Sequence, residues 1–260
     1  MRELLLLIIS ILPVYLVARY IYKKDKDKEP RSLIIKLFLG GLGAFVLTII
    51  ITLLLSLFFP SLLSDTMDTD LISLFFHVFF GVALIEEFSK WIFVYNISYN
   101  SKEFDQMYDM IVYAVFVSLG FACIENIFYV FEHGLGTGII RGLLAVPGHA
   151  CDGVFMGYYL AMAKVFDVKG DKESKKNNIL LSILIPVLLH GFYDYCLFSQ
   201  RVLFIGLFFI FIISLYIIVI GKVKKVSLKP GKIKYKNNFC FYCGRKVDSD
   251  YCPNCGGKNE

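Results

Sequence analysis

HVFFGVALIEEFSKWIFVYN, residues 77–96, sets the fold class and points to the chemistry. Apolar residues flank Glu86, Glu87 and Lys90 on both sides, in a run long enough with its neighbours to cross a bilayer as a helix. A carboxylate at the centre of a membrane helix costs about 3 kcal/mol even on lenient scales, so such a group normally faces a protein interior or a watery cavity and marks function. At about 100° per residue the three side chains project at roughly 0°, 100° and 40°, which places them on one face. Glu86 and Lys90 are also spaced for an i, i+4 pair.

The rest of the chain agrees with a membrane protein. Of 260 residues 57% are apolar and 19% charged, and mean hydropathy is +0.65, whereas a soluble domain is nearer 45–50% apolar. The apolar runs are about 20 residues long rather than short and alternating, which predicts helices and not a barrel. Seven spans are expected, at about 3–22, 33–60, 71–95, 108–131, 137–163, 179–198 and 202–221. The first has a weak basic n-region and no small-residue cleavage site, and reads as a retained anchor. The second, with Gly40, Gly41 and Gly43, suits close helix packing.

The connections set an orientation. Lys23, Lys24, Lys26, Lys28 and Arg31 follow the first span, and Lys164, Lys169, Lys172, Lys175 and Lys176 follow the fifth. The second and fourth connections carry no Lys or Arg. This near-alternation predicts an external N-terminus and a cytoplasmic C-terminal tail. Residues 222–260 hold ten Lys/Arg against three Asp/Glu, so the positive charge belongs to the tail. A basic stretch just after a final span reads as an orientation signal and an anionic-lipid contact rather than a nucleic-acid site.

Three further spans carry ionisable groups in their interiors. They hold Glu125 and Asn126 in LGFACIENIFYV, then Arg141, His149 and Asp152 in RGLLAVPGHACDG, then His190 and Asp194 in LLHGFYDY. Spans one, two and seven hold almost none at their centres. One shared polar cavity walled by spans three to six is therefore expected, against the plainer reading that each pair is a local bridge between helices. Span boundaries put Glu86 slightly cytoplasmic of the midplane and Glu125 and Asp194 slightly external. His77 and His133 sit near span ends without a patterned partner and read as unremarkable.

Glutamates in a partly dry cavity can serve as general bases near neutral pH, and imidazoles can polarise a carbonyl or stabilise an oxyanion. The set suits water activation for amide hydrolysis. No Ser or Cys stands in a motif beside a base. The same carboxylates and imidazoles could hold Zn²⁺, although no H-E-x-x-H is present, so metal participation stays open.

EEFSK (86–90), GFACIEN (120–126), RGLLAVPGHA (141–150) and HGFYD (190–194), in this order on separate spans, resemble the motifs of the PrsW family of intramembrane proteases. The likeness covers residues 71–198. The family is similar to the CAAX-processing and bacteriocin-processing membrane proteases, which usually have His where Glu125 stands. The resemblance implies proteolysis of a membrane-anchored, single-pass protein, in the best-known case an anti-sigma factor. It implies that Glu86 and Glu87 activate water and that Glu125 and His149 complete the base or oxyanion set. His190 and Asp194 would orient or bind, and Lys90, Asn126 and Arg141 would support. Which glutamate is the base is left open.

Seven cysteines divide into two groups. Cys123, Cys151 and Cys196 lie in apolar segments and read as small buried hydrophobes. Cys240, Cys243, Cys252 and Cys255 form C-x₂-C…C-x₂-C, with Gly244 and Gly256 suited to knuckle turns. This predicts a structural Zn²⁺ site resembling a short zinc ribbon, in a compartment where thiols stay reduced. The chain thus divides into an all-α transmembrane bundle (1–221), a basic linker (222–238) and a zinc ribbon (239–260) that docks a cytoplasmic protein. Two other readings compete. One is a non-catalytic receptor or scaffold, and the other an ion or proton transporter, which the lack of an internal repeat disfavours.

Overall fold

The computed structural model describes residues 2–63, 70–228, 233, 243, 245, 247 and 251–257. Every regular element among them is helical, and seven helical spans are long and apolar enough to cross a bilayer. Hydrocarbon offers no partner to a backbone N–H or C=O, so each span satisfies its own. Span one is α1 (Arg2–Lys24), and span two is α2 (Arg31–Ser56), followed by the short α3 (Pro60–Leu63). Span three joins α4 (Leu71–Phe76), a π-helical segment (His77–Ala83) and α5 (Leu84–Ser98). Span four is α6 (Met107–His133), span five α7 (Leu135–Leu143) with α8 (Ala145–Val168), span six α9 (Lys172–Phe198) and span seven α10 (Val202–Ser227).

The architecture agrees with the expected spans and departs from them in three places. Span two ends at Ser56 instead of running to residue 60, because Pro60, with fixed φ and no N–H, starts a helix better than it continues one. Span five is kinked at Leu144. Pro147 has no N–H for the Leu143 carbonyl, and the Tyr216 hydroxyl donates to that oxygen at 3.0 Å and to Leu144 O at 3.1 Å. Span three holds a π-helical segment just before Glu86, closed by Leu84 N–H donating to Phe79 O. Such segments recur at functional sites.

α6 is the axis of the bundle and is buried along most of its length. A capping box starts it, in which Asp109 Oδ2 accepts from the backbone N–H of Gln106 at 2.6 Å. α2 crosses it where Gly41 meets Gly120. A Cβ on Gly41 would lie 2.1 Å from Val117 O, and one on Gly120 2.0 Å from Phe38 O. Close approach of small residues replaces the hydrophobic effect as the source of helix association in lipid. α8 and α9 pack in turn, and α9 meets the π segment where the Phe79 ring lies over Gly191.

The basic connections collect at one end. Tyr108 of α6 donates to Ile21 O, Gln106 Nε2 to Asp27, and Lys164 Nζ to Tyr99 O. Ile233 of the tail donates its backbone N–H to Asp105 O at this same end. Cys123, Cys151 and Cys196 are buried as expected.

Candidate active site

The four polar spans meet in one chain of contacts. Arg141 pairs with Glu125 at 2.9 Å, and Glu125 Oε2 lies 2.8 Å from His149 Nε2. His149 Nδ1 lies 3.1 Å from Lys90 Nζ, which donates to Glu87 Oε1 at 2.7 Å. Glu87 Oε1 lies 2.9 Å from His190 Nδ1, and His190 Nε2 lies 3.3 Å from Asp194 Oδ2. The relay passes through α7, α6, α8, α5 and α9. An ammonium only donates, so the Lys90 contact makes His149 Nδ1 an acceptor and assigns the ring proton to Nε2, which donates to Glu125. Both ring nitrogens of His190 face carboxylate oxygens, a setting that two N–H donors satisfy.

Lys90 sits at the centre of this chain, fully buried, with its ammonium 4.1 Å from the centre of the Phe121 ring. Arg141 is held from three sides, by Glu125, by Asn126 Oδ1 at 3.1 Å and by the Tyr129 ring at 4.0 Å. Asn126 in turn donates to Ser10 O of α1 at 2.8 Å.

A cavity of about 300 Å³ opens beside the chain, lined by Glu86, Glu125, His149, Asp152, His190 and Asp194. The two adjacent glutamates differ here. Glu86 lines the cavity with 12% of its side chain exposed and only long contacts, 3.4 Å to Lys90 and 3.9 Å to His190. Glu87 is fully buried and held by Lys90 and His190. The cavity's rim includes His77 and Phe198, at the end away from the basic connections.

All of Glu86, Glu87, Lys90, Glu125, Asn126, Arg141, His149, His190 and Asp194 are therefore brought together, and the expected offset in depth does not keep them apart. His133 is exposed, with Glu132 at 3.8 Å and the Tyr129 ring 5.8 Å from its own, and takes no part in the chain of contacts. His77 lines the rim, with Nδ1 2.8 Å from Leu62 O. Asp152, Tyr129 and Tyr193 also line the cavity and stood outside the expected site set. The i, i+3 spacing of Asp152 from His149 is the signal that finds it. Nothing in sequence distinguishes the two tyrosines from ordinary membrane aromatics.

Ligand atoms of Glu86, Glu87, His149 and His190 all lie within 4.8 Å of one another. Two carboxylates and two imidazoles are ligand types that a divalent ion such as Zn²⁺ takes, provided Lys90 Nζ leaves His149 Nδ1 and His190 gives up one ring proton. Glu87 Oε2, buried and without a hydrogen-bond partner, adds a free acceptor to that set. In the tail, the Sγ atoms of Cys243, Cys252 and Cys255 form a second set within 4.8 Å, while Cys240 and Gly244 lie outside the described residues. Gly256 has φ +70° and donates its N–H to Cys252 O at 2.8 Å, the turn its spacing predicts.

The sequence model of the PrsW family intramembrane metalloprotease matches residues 29–220. The chain is 39% identical to Protease PrsW of Oceanobacillus iheyensis over 220 residues, 84% of this chain and 94% of that protein. It is 32% identical to Protease PrsW of Clostridioides difficile over 238 residues, 89% of this chain and 95% of that one. With Protease PrsW of Bacillus subtilis it shares 35% over 189 residues, 72% of this chain and 80% of that one. No solved structure matches it. Seven membrane-spanning helices, a polar cavity among four of them and these likenesses have one reading: the chain belongs to the PrsW family of intramembrane proteases, multi-pass membrane enzymes acting on membrane proteins.

Proposed function

We propose that this protease hydrolyses a peptide bond of a membrane-anchored, single-pass protein with a water activated by Glu86. The observation that carries this is the asymmetry of the glutamate pair: Glu86 faces the cavity with loose contacts, while Glu87 is buried and clamped. A base must reach water and change its charge during the reaction, and Glu86 is the one free to do so. Glu87 acts as a positioning residue that holds Lys90 and His190. His190, braced by Asp194 and Glu87, offers Nε2 beside Glu86 and stabilises charge developing on the scissile oxygen. Glu125, fixed by Arg141, orients His149. A divalent ion, bound in exchange for the Lys90 contacts and one His190 proton, would be held by Glu86, Glu87, His149 and His190 and would supply the Lewis-acid polarisation of the carbonyl in place of His190.

The cavity's place away from the basic connections supports cleavage in the external half of the membrane, with the N-terminus outside and the tail cytoplasmic. An anti-sigma factor anchored by one span has the required form of substrate. The tail's cysteines are read as a Zn²⁺ site that docks a cytoplasmic protein. Metal analysis of the purified chain tests this, since Cys252→Ser should lose one Zn²⁺ per chain. An unchanged zinc content sinks it.

Cleavage of a tagged single-pass substrate in proteoliposomes tests the mechanism. Glu86→Gln should lower the rate about 10²–10⁴-fold with an unchanged thermal midpoint, whereas Glu87→Gln should lower both. Full activity of Glu86→Gln sinks the assignment. A purified chain that moves protons and cleaves nothing would favour the transporter reading.

A further inference from the structure

A second cavity of about 430 Å³ runs between α1, α8 and α10. Leu16 and Tyr20 line it from α1, Ala150 and Val154 from α8, and Val219 and Val223 from α10. Its walls are almost wholly apolar. On α8 it occupies the face opposite His149 and Asp152, so it is separate from the active-site cavity.

Contacts give its direction. At one end Gly142 packs against Pro13 and the Tyr216 hydroxyl holds the kink of span five. Toward the other, Lys222 Nζ stands 3.5 Å from the centre of the Tyr158 ring. The three helices therefore descend in parallel to the end where the basic connections collect. There Lys24 lies one turn beyond Tyr20, its ammonium 5.6 Å from that ring, and Lys224 lies one turn beyond Ile220. Both lysines are exposed, and Asp25, next in sequence, is buried.

We propose that this groove binds one anionic phospholipid, with an acyl chain lying along α8 and the phosphate between Lys24 and Lys224. Lipid tails are as apolar as the groove, so burial alone selects nothing. The basic mouth supplies the selection, as lysines at the cytoplasmic surface do for anionic headgroups. The groove follows α8 from Pro147 to Val154, about 10 Å at 1.5 Å per residue.

Native mass spectrometry of the full chain, purified in mild detergent and supplied with phosphatidylglycerol or phosphatidylcholine of identical acyl chains, tests this. The wild type should retain one phosphatidylglycerol with a roughly tenfold preference. The Lys24→Gln/Lys224→Gln double variant should retain the two lipids equally. Val154→Phe, which fills the groove, should retain neither. Filling the groove could disturb α8, so its thermal midpoint is measured alongside, and the exposed lysine pair decides the matter if that variant unfolds. Equal retention by the wild type, an unchanged preference in the lysine variant, or undiminished retention in a folded Val154→Phe overturns the proposal. So does a photo-crosslinker at Val219 that captures a protein chain in place of phospholipid.

Discussion

Two clusters of buried acids differ in what they are paired with. In the bundle, Glu87 and Glu125 alternate with Lys90, Arg141 and two histidines. At the rim where the basic connections collect, Asp25, Glu29 and Asp109 are buried among hydroxyls and amides. Glu29 accepts from the Tyr113 hydroxyl at 2.6 Å, and Asp109 accepts from backbone N–H groups. Lys28 spends its ammonium on the backbone carbonyls of Tyr22 and Asp25, leaving Asp25 Oδ2 buried without a hydrogen bond. A carboxylate beside a fixed cation keeps its charge in a low dielectric, whereas one among neutral donors is more stable with its proton. The first arrangement suits polar chemistry and the second a structural joint.

Removing charge should therefore have opposite effects at the two sites. The largest is expected at the centre. Lys90→Met strands Glu87 in a buried setting and should cost about 3–5 kcal/mol, read as a fall of roughly 10 °C or more in thermal midpoint in micelles. A midpoint within a degree of wild type would show that the chain of contacts is not an ionic unit. Glu87→Gln in the same background should recover part of the loss.

At the rim, burial pushes the Glu29 carboxyl up to about 8, aided by Asp25, Glu103 and Asp105 nearby and opposed by the Tyr113 hydrogen bond. The unfolded chain releases this proton near pH 4.5, the native one only near 8. Its contribution is thus fully present below pH 4.5 and is lost as pH rises toward 8. Glu29→Gln should match wild type near pH 5 and exceed it by several degrees at pH 8. Parallel pH profiles would place a counter-charge at the rim and erase the contrast. The smallest effect is expected from Tyr113→Phe, which removes one hydrogen bond at a cost of about 1 kcal/mol.

The bundle cluster was legible in the sequence and the rim cluster was not, for one reason. Glu86, Lys90, Glu125, His149 and His190 stand in apolar runs, where an ionisable group needs an explanation. Asp25 and Glu29 stand beside lysines and Asp109 in the first turn of a span, where acids are ordinarily solvated, and only the packing of α1, α2 and α6 buries them. Lys90 carried charge in the sequence without showing that it would be the hub, because its contact with His149 spans 59 positions. The kink at Leu144 was hidden in the same way. Pro147 signalled a missing N–H, but its remedy is a tyrosine hydroxyl some 70 residues on.

The π segment before Glu86 has a consequence for insertions and deletions. Its hydrogen bonds reach back five residues where an α-helix reaches four, so each of its turns stores about one residue more than an α turn needs. Losing one residue between His77 and Ala83 would return the segment to α-helix. Glu86, Glu87 and Lys90 would stay clamped by His149 and His190, and the half-span before them would keep nearly the same facing, because six residues of α-helix turn about as far as seven of π-helix. His77 would stay near Leu62 and Phe79 near Gly191. The span thus has a length buffer on the side away from the basic connections, where its sequence can shorten by one residue without displacing the glutamates.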